Sequence, residues 1–222
     1  MSERINAFIP LKGHSERVPN KNLRQFHGGP LFHTVVNTLN QANSIASVVI
    51  DTDSDEIAES AGELDNVVVV RRRADQIGDA VPVNDLIGSY LERSDDTHLL
   101  QTHSTNPVLT VATIDRAVET YFSTPGMTSL FGVTRMQARF YDWEHQPINH
   151  RADELLPTQE LPPMYLENSC LYLFSREGFF ERRTRITANS MLFEMDQLEA
   201  VDIDEEVDFE LAEAVYRLRH GD

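Results

Sequence analysis

Short apolar runs rich in β-branched residues alternate with amphipathic stretches of helical period through the first half of the chain. No other feature restricts the fold as strongly. Ile5–Leu11 reads as a buried strand. A polar loop follows from Lys12 to about Gly29, and Pro30, well suited to a first helical turn, opens a helix to about Ala42. Ser47–Asp51 reads as a second strand, with Ser54 capping the helix DEIAESAGEL and Glu56 and Glu59 toward its N-terminal end. Val67–Val70, a bare run of valines, reads as a third strand covered on both faces. A helix over Asn84–Arg93, a strand over Thr97–Thr102, a helix over Val111–Phe122 and a strand over Thr128–Val133 continue the series. Strands separated by helices make βαβ units, so the expected class is α/β with a mainly parallel, doubly wound sheet.

Right-handed crossovers place the C-terminal ends of such strands on one edge, and ligands bind outside that edge. Candidate chemistry is therefore expected just after Leu11, Asp51, Val70 and Thr102. The rhythm breaks between about residues 136 and 166. There Arg139, Tyr141, Trp143 and the prolines Pro147, Pro157, Pro162 and Pro163 read as an arm too short to fold alone. ENSCLYLF, MLFEM and LEAVDID then read as strand-like, and Glu205 to Leu218 as a closing helix. Residues 1–222 are thus expected to form one domain carrying an inserted arm.

Composition narrows the partners. Acidic residues number 36 against 19 basic ones, a formal net charge of -17. Such a surface repels nucleic-acid phosphates, so no nucleic-acid partner is expected. Cys170 stands alone, which excludes an internal disulfide and fits a reducing cytoplasm. No long apolar run and no leader-like N-terminus appear, so a cytoplasmic protein with no membrane partner is expected. The acidity and the scarcity of lysine suggest a salt-loving host, slightly ahead of the alternative of a GC-rich genome that favours arginine codons.

That scarcity singles out one loop. Both lysines of the chain, Lys12 and Lys21, fall in KGHSERVPNKN together with Arg17. Backbone N–H groups near Gly13 and Ser15 with three cations would make a concave anion site suited to a polyphosphate. The loop is neither a Walker A motif nor a dinucleotide fingerprint. Arg71 sits at the exit of the third strand, where a base or phosphate could lie, while Arg72 and Arg73 read as a surface patch. Asp53, structural or site-facing, and Asp79 and Asn84 are further candidates. Gln101, Thr102, His103, Ser104, Thr105 and Asn106 form a dense hydrogen-bonding run at the ligand edge. Asp202 and Asp204 alternate on an expected strand, about 7 Å apart, and would share Mg²⁺ with a substrate's phosphates; alternatively Asp204 caps the last helix and Asp202 faces solvent. No activated covalent nucleophile is visible, so direct nucleotidyl or phosphoryl transfer is the natural chemistry.

FIPLKGHSERVPNKNLRQFHGGPL resembles the opening of the acylneuraminate cytidylyltransferases, and the resemblance continues through IDTDSDEIAESA, Arg71 to Asp79, LLQTHSTNP, ELPPMYLENSCLYLF and AVDIDEEVDFELAE. It spans nearly the whole chain in order. The resemblance implies a Rossmann-like nucleotidyltransferase fold with a small dimerisation arm, and a homodimer. It implies a reaction of CTP with a 2-keto-3-deoxy sugar acid that yields a CMP-sugar and pyrophosphate. By position, Lys12, Ser15, Arg17, Lys21 and Asn22 would cradle the triphosphate. Arg71 and the neighbourhood of Asp79 would lie near cytosine and ribose. Gln101, Thr102, His103 and Ser104 would contact the sugar acid, and Asp202 and Asp204 would hold Mg²⁺.

The chain departs from the family pattern at several places. Lys12 replaces an arginine, Glu16 stands where lysine is common, and QPTSPLR has become QTHSTNPVL. Thr158, beside Gln159, occupies a position often basic, which leaves Arg139 as the arm's candidate for a carboxylate contact. Legionaminic, pseudaminic or another nonulosonic acid fits these changes as well as sialic acid does. The absence of an RLPGKPL pattern disfavours the octulosonate branch. A non-catalytic nucleotide-sensing protein, or a cytidylyltransferase for an alcohol or sugar phosphate, are the competing readings.

Overall fold

The computed structural model describes residues 3–15, 17–78 and 80–221. The strands are β1 (Ile5–Leu11), β2 (Gln25–Phe26), β3 (Gly29–Pro30), β4 (Ile45–Thr52), β5 (Val67–Arg71), β6 (His98–Thr102), β7 (Ser129–Met136), β8 (Met164–Ser175) and β9 (Ser190–Glu194). The helices are α1 (Leu31–Gln41), α2 (Asp55–Ala61), α3 (Val83–Leu91), α4 (Val111–Ser123), α5 (Arg176–Arg182) and α6 (Glu206–His220). Seven strands form one sheet in the order β5-β4-β1-β6-β8-β7-β9. Only β8 runs against the rest, pairing antiparallel with β6 and β7. The sheet is mixed but mainly parallel, as the βαβ rhythm implies.

The two-residue period of the strands sorts the core into layers. Ile5, Ala7, Ile9 and Leu11 of β1 face one side, where they meet Val48 and Ile50 of β4, Leu171 and Leu173 of β8, and helices α1, α2 and α4. Phe8, Val49, Leu99, Tyr172 and Phe174 face the other side and pack on α3 and α5. Helices therefore cover both faces of the sheet. Ser54 caps α2 by accepting from the Ile57 amide, as its position before DEIA suggests.

Two expectations are corrected. The valine run is not covered on both faces: β5 is an edge strand of the sheet, and Val68 is 51% exposed. β-Branching favours an extended chain and does not by itself place the strand within the sheet. LEAVDID is not a strand. Its residues form a turn and an extended segment that docks by single hydrogen bonds, Ile203 N–H to the Thr105 carbonyl (2.9 Å) and Asn106 Nδ2 to the Val201 carbonyl (3.2 Å). The segment between β7 and β8 is largely irregular, with one β-bridge (Tyr141 with Pro147) and a short 3-10 turn at Thr158–Glu160.

Candidate active site

The loop after β1 is shaped by its own sequence. Val18 is fully buried and anchors it, and Asn20 takes the left-handed conformation (φ 52°), which asparagine tolerates better than most residues. That turn brings Lys21 and Asn22 to the wall of a cavity of about 480 Å³, also lined by Lys12, Ser15 and Arg17. Gly13 serves packing: a Cβ there would lie 2.8 Å from Ser54 Cβ, and its N–H donates to Asp53 Oδ1 at 2.7 Å. The Gly13 amide is thus turned to Asp53 instead of the cavity, and Asp53 has a structural task in pinning the loop.

Opposite the loop stand His103, Ser104 and Thr105, from the turn after β6. Ser104 Oγ donates to Asn22 Oδ1 (2.7 Å), and Asn22 Nδ2 donates to the Lys12 carbonyl (2.9 Å), so the two walls are tied together. Lys21 donates to the Ile203 carbonyl. Burial lowers the Lys21 ammonium from its ordinary value, against the pull of Asp202 and Asp204.

Asp202 and Asp204 lie beside Lys21, but on the extended segment and in different environments. Asp202 is partly buried, and its Oδ1 has no hydrogen-bond partner. Burial pushes its carboxyl upward, Thr105 and Lys21 oppose the rise, and the Asp204 charge adds to it. Asp204 is exposed and accepts from Arg17 Nη2 at 2.6 Å. It does not cap the last helix: Glu205 does, in a reciprocal capping box with Asp208.

The arginine run is sorted by strand geometry. Successive residues point to opposite faces. Arg71 turns outward to the Ser54 carbonyl (2.6 Å) and the Asp55 carboxylate, and is not among the cavity's lining residues. Arg72, read from the sequence as surface, is the buried one. Its side chain is 4% exposed, it pairs with Asp51 (2.5 Å) and Asp53 (3.7 Å), and it lines the cavity. Asp79 lies outside the described residues.

At the inner end, Gln101 and Thr102 are fully buried. The Thr102 hydroxyl is spent on the Cys170 carbonyl (2.6 Å), a link within the sheet. Gln101 Nε2 donates to the Thr102 carbonyl (2.9 Å) and lies 3.0 Å from His103 Nε2, while its Oε1 accepts from Arg185 Nη1 (2.5 Å). Because Oε1 is taken by a donor, Nε2 must donate to the imidazole, so His103 Nε2 is the acceptor and Nδ1 carries the proton. Burial, with Arg185 and Lys21 nearby, lowers His103 to about 3. The ring, partly exposed at the cavity wall, is therefore neutral at neutral pH.

Arg139 and Gln159 stay in the arm. Arg139 donates to the Leu156 carbonyl, Gln159 is exposed on the Thr158–Glu160 turn, and neither lines the cavity. Arg185 was not visible as a candidate in the sequence. It lies in RRTRIT, where nothing local distinguishes it from surface arginines. Among the described residues no cluster of three or more His, Cys, Asp or Glu side chains is placed to hold a metal ion.

Lys12, Arg17 and Lys21 thus stand together on a loop at the sheet's C-terminal edge with Asp202 and Asp204 beside Lys21, a charge arrangement suited to a nucleotidyltransferase. The family model for cytidylyltransferases matches residues 7–220, and the chain belongs to that family. It is 28% identical over 228 residues to CMP-N,N'-diacetyllegionaminic acid synthase of Legionella pneumophila, covering 97% of each chain. It is 25% identical over 223 residues to post-translational flagellin modification protein B of Campylobacter coli, covering 96% of this chain and 94% of that protein. In fold it is similar to CMP:2-keto-3-deoxy-manno-octonic acid synthetase complexed with CTP, with a TM-score of 0.74 at 12% identity over 98% of this chain and 100% of the other.

Proposed function

We propose that this enzyme couples CTP to a nonulosonic acid, a sialic-acid-like sugar, giving the CMP-sugar and pyrophosphate. The observation that carries this reading is the gathering of Lys12, Arg17 and Lys21 on one cavity in a chain of net charge -17, with Asp202 and Asp204 outside its lining but acting on Lys21, and Asp204 paired to Arg17. The names of relatives that act on legionaminic acid, pseudaminic acid and N-acylneuraminate support the sugar class. In the reaction, the anomeric hydroxyl oxygen gives up its proton to water and forms a bond to the α-phosphorus as the bond from that phosphorus to the β-phosphate bridging oxygen breaks. Lys12, Arg17 and Lys21 offset the charge of the triphosphate and of the departing pyrophosphate, and Ser15 and Asn22 orient it.

A divalent cation fits the residues present. Asp202 offers a buried carboxylate oxygen without a partner, and Asp204 a second hard oxygen beside it. Mg²⁺ commonly takes one or two carboxylates and fills the remaining positions with water and substrate phosphate. When bound by Asp202 and Asp204 it would supply charge neutralisation at the phosphates.

We propose further that the chain is one cytidylyltransferase domain acting as a cytoplasmic homodimer through the arm at about 136–166. Trp143 is 88% exposed and Leu155 90% exposed there, an apolar surface suited to a second copy. No described helix is long and apolar enough to cross a membrane.

The test is pyrophosphate release from CTP with Mg²⁺ across a panel of nonulosonic and octulosonic acids, at low and at molar salt. Release with a nonulosonic acid is expected. No release with any of them overturns the reading.

A further inference from the structure

Arg185 is not among the residues that line the cavity of the lysine loop. Gln101 and Tyr172 are register partners on β6 and β8, so their side chains stand side by side on the face that carries α3 and α5. Arg185 lies across the pair. Its Cζ is 3.6 Å from the Tyr172 ring centroid, and its Nη1 donates to Gln101 Oε1. Through Gln101 it connects to His103, which lines the nucleotide cavity.

Among the described residues no carboxylate comes within ion-pair distance of Arg185, whereas nearby Arg183 pairs with Glu92 and Arg219 with Asp196 and Glu199. Glu167 is close enough to be felt, but its carboxylate accepts from the Tyr172 hydroxyl. An arginine stays charged even when half-buried, and burying that charge without an anion is costly. Arg185 remains partly exposed, so an anion can reach it. Neutral His103 lies close enough to both this cation and Lys21 for each to act on it.

A 2-keto sugar acid carries its carboxylate on the carbon that bears the attacking hydroxyl. Gripping that carboxylate on one side while the triphosphate is held on the other would set the hydroxyl's approach to the α-phosphorus. Resting on the CMP-sugar reading above, we infer that Arg185 binds the carboxylate of the acidic sugar. Gln101 fixes the guanidinium fork, and His103 walls this subsite off from the nucleotide loop.

The experiment uses the full chain with CTP, Mg²⁺ and the sugar acid that the panel identifies, together with that acid's methyl ester. Arg185→Met should raise the KM for the acid at least about 30-fold and leave the KM for CTP within about twofold. Arg185→Lys, which keeps charge but loses the fork, should fall between the two. Wild type should prefer the free acid strongly over the ester, and Arg185→Met should lose that preference, an outcome that loss of packing alone does not produce. A rise in Tm on adding CTP reports that the variant's fold and nucleotide site persist. If Arg185→Met does not fold, the acid-to-ester ratio of Arg185→Lys decides. An unchanged KM for the acid, a rise in KM for CTP instead, or retained discrimination against the ester overturns the inference. So does dependence on Arg139 in place of Arg185, read with Arg139→Ala. Wild type inactive with every acid overturns both readings, whereas active wild type with an indifferent Arg185 variant overturns this one alone.

Discussion

Arg17 Nη2 lies 2.6 Å from Asp204 Oδ1 and joins the loop after β1 to the segment before α6, 187 positions away in sequence. Both side chains are more than half exposed, at 60% and 52%, so the pair is screened by water and contributes at most about 1 kcal/mol to stability. Its interest lies in chemistry: Asp204 is tied to Arg17, which lines the cavity, by an exposed bond weak enough to exchange for another cation.

Asp204→Asn should therefore abolish turnover and leave the fold intact. The expected change in Tm is no more than about 3 °C, from the small worth of an exposed pair. Pyrophosphate assays beside thermal melts check this, and wild-type turnover would remove Asp204 from the site.

Asp202→Asn should behave differently. Asp202 is partly buried with one carboxylate oxygen buried and unpartnered, so the ionised form costs stability in the absence of a cation. The amide should raise Tm by about 2–6 °C in metal-free buffer while eliminating activity. Added Mg²⁺ should stabilise wild type more than the variant. A lower Tm for Asp202→Asn would show that the carboxylate is satisfied without a cation.

His103 imposes a pH dependence. Its folded-state value of about 3 lies below its ordinary 6.5. Below pH 6.5 the unfolded chain binds a proton at this position that the folded chain refuses until about pH 3, so stability is lost as pH falls through that window. The extra slope approaches about 1.4 kcal/mol per pH unit at its steepest. Urea titrations of wild type and His103→Gln between pH 4 and pH 7 should give a shallower slope for the variant. Equal slopes would mean that the imidazole is charged in the folded protein.

Lys21→Ala should weaken CTP binding by about 10- to 100-fold, since one charge-assisted contact in a partly buried site is worth about 1.5–3 kcal/mol. Calorimetric titration reads the change directly. Unchanged affinity would place the triphosphate elsewhere.

The arm predicts its own effect on assembly. Trp143→Glu with Leu155→Glu should shift sedimentation from dimer to monomer and leave the melting of the sheet core unchanged. A wild-type monomer at micromolar concentration would refute the dimer.

The fold was legible because periodicity is a local property. β1 runs over Ile5–Leu11 as read, α4 over Val111–Ser123 within a residue of its expected end, and Ser54 caps α2. The valine run misled because four β-branched residues specify an extended chain and not its neighbours, and β5 has a partner on one side only. LEAVDID alternates like a strand, yet it pairs with no strand of the sheet and docks by single hydrogen bonds on the turn after β6 instead.

The loop of the two lysines was likewise marked by composition alone: in so acidic a chain, rare cations gathered within ten residues stand out before any geometry is known. Sequence patterns thus determined the class of fold, the loop and the candidate carboxylates, since each is written in contiguous residues. Tertiary structure decided which of three successive arginines is buried against Asp51. It also decided that Asp202 and Asp204 differ in environment, and that Arg185 reaches Gln101 across 84 positions. Those facts depend on strand order and register, which bring distant residues into contact and set which charges lose their water.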